Sequence, residues 1–217
     1  VKRLGLLLIF ALVCHGWIHG AAANDTDVLK QTILDGLEQQ YAGRTFSATF
    51  TQTSVMTALD ISETASGRAW FSHPGKMKWQ YLTPERHDII TNGTTLWIYR
   101  PDENQVMKGD ASQFFASGAG GAFLSDISRL RDNFTATVTE SSDKWVELQL
   151  DAPPDNPDIQ TIQIRAARND FQIQTVTTVN TVGDVTRFEL SDIQFLELPD
   201  DWFEFTVPPG TSIIDMN

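Results

Sequence analysis

The sequence predicts a mainly β fold with added helix (α+β), built as one strongly curved antiparallel sheet covered by helices. Three observations carry this. Successive runs of residues alternate apolar and polar with a period of two, and turn signals separate them. One stretch near the start instead repeats its apolar residues every four positions. A glycine-broken apolar segment interrupts the strands midway. A sheet of many strands curls, and its concave face needs a cover; helices with one apolar face supply it.

Taken in order, the chain opens with Lys2 and Arg3, an apolar run from Leu4 to Val13, and the small-residue site Ala21-Ala22-Ala23. The run is too short to cross a bilayer as a helix, so the pattern predicts a secretory signal peptide over residues 1–23. A single domain is expected over 24–217. Asp25 to Tyr41 predicts a helix: Leu29, Ile33, Leu37 and Tyr41 recur every four residues, Asp25 or Thr26 can cap the start, and Gly43 closes it. Strands follow. "RTFSATFTQT" puts Phe46, Ala48 and Phe50 on one face, and "SGRAWFS" carries Trp70 and Phe71 up to a His73-Pro74-Gly75 turn. In "KMKWQY", Met77, Trp79 and Tyr81 share one face while Lys76, Lys78 and Gln80 share the other. "HDIIT", an Asn92-Gly93 turn of type I′ and "TTLWIYR" extend an antiparallel meander.

The middle changes character. Asp110-x-x-Gln113 reads as a capping box, followed by Phe114-Phe115, glycines at 118, 120 and 121, and then Phe123, Ile127, Leu130 and Phe134 at helical spacing. This predicts two short amphipathic helices joined by a glycine hinge. Strands resume at "FTATVTE" and run to "DVTRFELSDIQFL", with the Pro/Asp-rich loop "DAPPDNPD" between two of them, and the chain closes with "WFEFTVPPG".

The chemistry of most enzymes is not written here. Beyond the leader, His73 and His87 are the only histidines, and Cys14, the only cysteine, lies in the leader. Cys/His zinc sites are excluded, and no cofactor is expected. HExxH, GxSxG and GxxxxGK[ST] are absent. A net charge of −12 repels phosphate backbones, so nucleic acid is not expected as a partner. What stands out is the number of large apolar side chains spread over many strands.

The blocks Pro74-Gly75-Lys76-Met77-Lys78-Trp79-Gln80-Tyr81, Pro84, Ile89-Ile90, Asn92-Gly93, Leu96-Trp97, Tyr99, Pro101 and Gln105-Val106 occur in this order. With the preceding "FSATFTQT" and the closing "FEFTVPPG", they resemble the periplasmic outer-membrane lipoprotein carrier family (LolA), over roughly residues 28 to 212. The resemblance implies an incomplete antiparallel β-barrel closed by a helical lid. It implies a periplasmic carrier without a catalytic step, which takes the acyl chains of lipoproteins from an inner-membrane ABC transporter and hands them to an outer-membrane receptor. A monomer is expected. Strand parity and the family pattern nominate Phe50, Phe71, Met77, Trp79, Tyr81, Leu96 and Phe188 as cavity lining. Phe114, Phe115, Phe123, Leu124 and Ile127 are the lid candidates. His73 stands where many members carry an arginine that holds the lid; histidine has fewer donors and titrates near neutrality, so a fixed latch is not expected at this position.

Two readings from other classes remain at this point. One is a membrane-anchored lipoprotein receptor, or a periplasmic lipid- or protein-sensing domain of the same fold; acylation at Cys14 would mark the anchored form. The other is a hydrolase on a cupped sheet, which would depend on His73 or His87.

Overall fold

A computed structural model of the protein describes residues 21–112 and 123–216. Helix α1 (Ala21–Tyr41) leads into β1 (Thr45–Met56), β2 (Ile61–Ser72), β3 (Lys76–Thr83), β4 (His87–Thr91), β5 (Thr95–Arg100) and β6 (Gln105–Asp110). After a short helix α2 (Arg129–Asn133) come β7 (Thr135–Ser141), β8 (Trp145–Asp151), β9 (Ile159–Ala167), β10 (Ile173–Asn180), β11 (Val185–Phe195) and β12 (Ser212–Asp215). All twelve strands form one curved, unclosed sheet in the order β12-β6-β5-β4-β3-β2-β1-β11-β10-β9-β8-β7. The expected curved-sheet fold is therefore present.

Two apolar layers hold the sheet. On the concave face, Ile33, Leu34, Leu37 and Tyr41 of α1 join inward residues of β1–β3 and β8–β11, together with Leu124, Ile127 and Leu130, in one buried cluster. Helix α1 approaches closely at Gly36, where a Cβ would collide with the Phe171 ring. The second layer lies on the convex face: Ile90, Trp97 and Val106 are buried beneath Phe205 and Val207, beside Tyr99. The C-terminal stretch thus crosses the back of the sheet, with Trp202 edge-on to Trp70 (5.7 Å) and Lys78 Nζ 5.1 Å from the Trp202 ring. It ends as β12, which pairs in parallel with β6.

Several local expectations change. The α1 helix already includes Ala21–Ala23, so neither Asp25 nor Thr26 caps its start; alanine is the strongest helix former and carries the turn through. Of the type I′ pair, only Gly93 has positive φ (96°). Asn92 instead accepts hydrogen bonds through Oδ1 from the Thr94 and Thr95 N–H groups (3.0 and 2.9 Å), which makes a longer Asx-type loop. The final strand β12 was not legible as a strand, and its parallel pairing breaks the wholly antiparallel pattern.

Candidate functional site

Register places the nominated wall residues on one face. Phe46 pairs with Phe71, Phe71 with Met77, Met77 with Thr91, and Thr91 with Leu96, so these five stand in one row across β1–β5. The next rows carry Trp79 opposite Ala69, Tyr81 opposite Gly67, and Phe188 opposite both Gln52 and Val176. Phe50, Phe71, Met77, Trp79 and Phe188 are at most 1 % exposed, and Leu96 and Tyr81 only slightly more. At the centre is an aromatic box. The Trp79 ring lies 4.9 Å from Phe50, 5.2 Å from Phe71 and 4.9 Å from Phe188, and Phe46 stacks on Phe71 at 4.8 Å.

Gly67 makes this close packing possible. It stands where β2 shifts register against β3, and a Cβ there would drive into the Gln80 carbonyl oxygen and press on the Phe50 ring. At the far end of the box the wall turns polar. The Tyr81 hydroxyl donates to Gln52 Oε1 (2.6 Å), Gln52 Nε2 donates to Ser54 Oγ (2.8 Å), and the Tyr81 ring stacks on His87 at 4.1 Å. Burial raises the Tyr81 hydroxyl pKa well above its ordinary value. Two small concavities flank this end. One of about 60 Å³ is lined by Gln52, Ser54, Glu63 and Pro84, and the other of about 120 Å³ by Tyr81, Arg86, His87 and Asp88. Both are well below the few hundred Å³ typical of ligand pockets. Exposures near zero along the wall leave no water-sized space against it, so in this conformation the wall is a packed core.

The cover is α1 together with residues 123–133. Leu124, Ile127 and Leu130 insert into the concave cluster, and Phe123 packs at its margin half-buried. The second of the two short amphipathic helices was expected here. The observed order is one tight turn over 123–125, a break at Asp126, and the five-residue α2. Ser128 Oγ donates to Asp126 Oδ1 at 2.6 Å across this break. Before this segment, Asp110 does cap a helical turn, accepting from the Ser112 N–H at 2.7 Å. Phe114, Phe115 and the three hinge glycines lie outside the described residues.

Polar contacts then tie the cover down at two places. The Gly75 N–H donates to the Ser125 carbonyl oxygen at 3.1 Å, and His73 Nδ1 lies 3.4 Å from Asp126 Oδ1 without hydrogen-bond alignment. The turn that carries the latch position therefore does touch the cover, although its aligned bond comes from the backbone of Gly75. On the other side, Arg131 reaches three groups of α1: Gln31 Oε1 at 3.0 Å, Asp35 Oδ1 at 2.6 Å and Glu38 Oε1 at 2.9 Å. The bonds to the Asp35 and Glu38 carboxylates raise the Arg131 pKa further. Sequence reasoning missed this clasp. Its signal was the 4-then-3 spacing of Gln31, Asp35 and Glu38, which puts one polar stripe on the α1 face opposite its apolar one.

Residues 42–206 match the family described as outer membrane lipoprotein carrier protein LolA. The chain belongs to the LolA family. Relatives named outer-membrane lipoprotein carrier protein include one from Bordetella pertussis, 28 % identical over 99 % of this chain and 98 % of its own. Another, from Coxiella burnetii, is 26 % identical over 97 % of this chain and 96 % of its own. An uncharacterized conserved protein from Thermus thermophilus has a similar fold, with a TM-score of 0.57 at 12 % identity over 86 % of this chain and 98 % of that one. For a LolA family member the packed concave wall is the feature of interest. Among the described residues no helix is long and apolar enough to cross a membrane.

Proposed function

We propose that this protein carries lipid-modified proteins through the periplasm, shielding their acyl chains against the concave wall and performing no covalent step. It receives them from an inner-membrane ABC transporter and yields them to an outer-membrane receptor. The observation that carries the reading is the continuity of the wall: Phe50, Phe71, Met77, Trp79, Tyr81, Leu96 and Phe188 share one face, and a short segment covers its centre. Moving residues 123–133 away would expose apolar side chains on several strands at once, enough to line a channel for hydrocarbon.

Magnitudes agree with a carrier. Burying a chain of about 16 carbons yields on the order of 12 kcal/mol at ~0.8 kcal/mol per methylene. Two or three chains held without cost would approach the ceiling of noncovalent affinity and would not be released. Displacing Leu124, Ile127 and Leu130 from the wall offsets part of that gain, and their return favours release. Half-buried Ile89, Ile98 and Met107 continue the concave face across β4–β6 and extend the surface a tail can reach.

The reading is tested by isolating the protein from cells and identifying what comes with it. A lipid-modified protein released by organic solvent or detergent is the expected result. Intact mass of the same sample is expected to show an N-terminus near residue 24; an acylated Cys14 would instead make the protein an anchored receptor.

A further inference from the structure

Tryptophan 79 holds an unused hydrogen-bond donor at the centre of the wall. Its side chain is 1 % exposed, and Nε1 has no hydrogen-bond partner. Tyr81 on the same wall does find an acceptor, donating to Gln52 Oε1 at 2.6 Å; among the described residues the other buried indole nitrogen without a partner is Trp202 Nε1, on the convex face. Buried indole N–H groups ordinarily find a partner, because stripping the donor of water without replacement is unfavourable. The rings of Phe50 and Phe71 stand edge-on to the indole, at 75° and 89°. An N–H···π contact there would be a second-order substitute for a carbonyl acceptor.

We propose that Trp79 Nε1–H is a specificity donor for the cargo, positioned to bond the carbonyl oxygen of an ester- or amide-linked acyl chain once the 123–133 segment lifts. This rests on the carrier reading given above. Hydrocarbon burial alone does not distinguish an acyl chain from any other apolar tail, whereas a buried donor left unpaired discriminates against tails that lack an acceptor. The neighbouring polar end of the wall, Tyr81–Gln52–Ser54, marks the side from which the polar linkage approaches, with the aliphatic part directed toward Phe71 and Phe46.

The test compares two synthetic lipopeptides of equal chain length on an S-glyceryl cysteine, one with ester-linked and one with ether-linked chains, binding to the wild-type protein and to Trp79→Phe. The wild type is expected to bind the ester form about tenfold more tightly, the worth of one buried neutral hydrogen bond. Trp79→Phe is expected to lose that preference and bind both forms alike. Its unfolding midpoint is expected not to fall by more than a conservative core swap explains. A preference retained in Trp79→Phe, or absent from the wild type while both lipopeptides bind, overturns the inference and leaves the carrier reading standing. Failure of the wild type to bind either lipopeptide overturns the carrier reading, and this inference with it. Should the variant not fold, the indole N–H resonance of Trp79 in the wild type decides. A downfield shift with the ester form alone supports the bond, and an unmoved resonance contradicts it.

Discussion

Replacing Arg131 with alanine removes the clasp between the cover segment and α1 without touching the apolar wall. Arg131 donates to Gln31, Asp35 and Glu38 at 2.6–3.0 Å, but its side chain is 36 % exposed and that of Asp35 is 68 % exposed. Each such pair contributes about 0.2–1 kcal/mol in water. With two ionic contacts and one neutral bond, the clasp is worth about 1–2 kcal/mol at low salt, a factor of roughly 5–30 in an equilibrium constant. Hydrogen exchange is the direct assay. Amides from Leu124 to Leu130 should exchange roughly 5–30-fold faster in Arg131→Ala at low salt, and the difference should shrink near 1 M salt, where the screening length is about 3 Å. Strands β2 and β3 should exchange unchanged. Arg131→Lys keeps the charge without the fork and should fall between the two. Equal exchange in wild type and Arg131→Ala, or acceleration shared by the whole sheet, would refute the separation of cover from wall.

Three further substitutions probe the wall and its supports. Phe188→Ala should lower the unfolding free energy by about 3–5 kcal/mol, because Phe188 is fully buried against Trp79; adding a lipopeptide should restore part of that loss by refilling the hole, and no restoration in a denaturation series would count against the acyl wall. Gly67→Ala should cost about 2–4 kcal/mol in the same measurement, since the Gln80 carbonyl backbone, not a flexible side chain, meets the new methyl. Tyr41 predicts an alkaline limit. Burial pushes its hydroxyl up to about 12 from 10.0, while the hydrogen bond accepted from Ile173 acts the other way. Below pH 10 both states keep the proton; between 10 and 12 the unfolded chain loses it first, so stability falls with rising pH, on the order of 2–3 kcal/mol. Tyr41→Phe should remove Tyr41's share of that fall, whatever its constant cost, and leave the share that the raised Tyr81 hydroxyl contributes over the same range.

The strands were legible because their residues alternate cleanly. Met77, Trp79 and Tyr81 were assigned to one face from spacing alone, and register confirms it. Leu96 and Phe188 were harder. "TTLWIYR" is apolar on both faces, since Leu96 faces the concave side while Trp97 is buried beneath the C-terminal stretch on the convex side. Period-two reasoning cannot separate the faces of a strand buried on both. The convex layer went unseen for a related reason, because Phe205 and Val207 belong to a stretch without regular structure whose apolar residues acquire a partner only through the fold. Strand β12 escaped because Pro208-Pro209-Gly210 reads as a stop, and four residues are too few to show a period. In the cover, helical spacing found the buried Ile127 and Leu130 and the half-buried Phe123 but overstated the helix, which is limited to the five residues of α2. Pairings distant in sequence, Gly75 with Ser125 and Arg131 with α1, left no local trace beyond the stripe on α1.

The most direct test of the carrier reading is release from membranes. Inner-membrane vesicles bearing a competent lipoprotein-releasing ABC transporter and a labelled lipoprotein, incubated with ATP and this protein, should yield a soluble complex of the two. Lipoprotein that stays in the membrane pellet, with the transporter shown active toward another carrier, would contradict the reading.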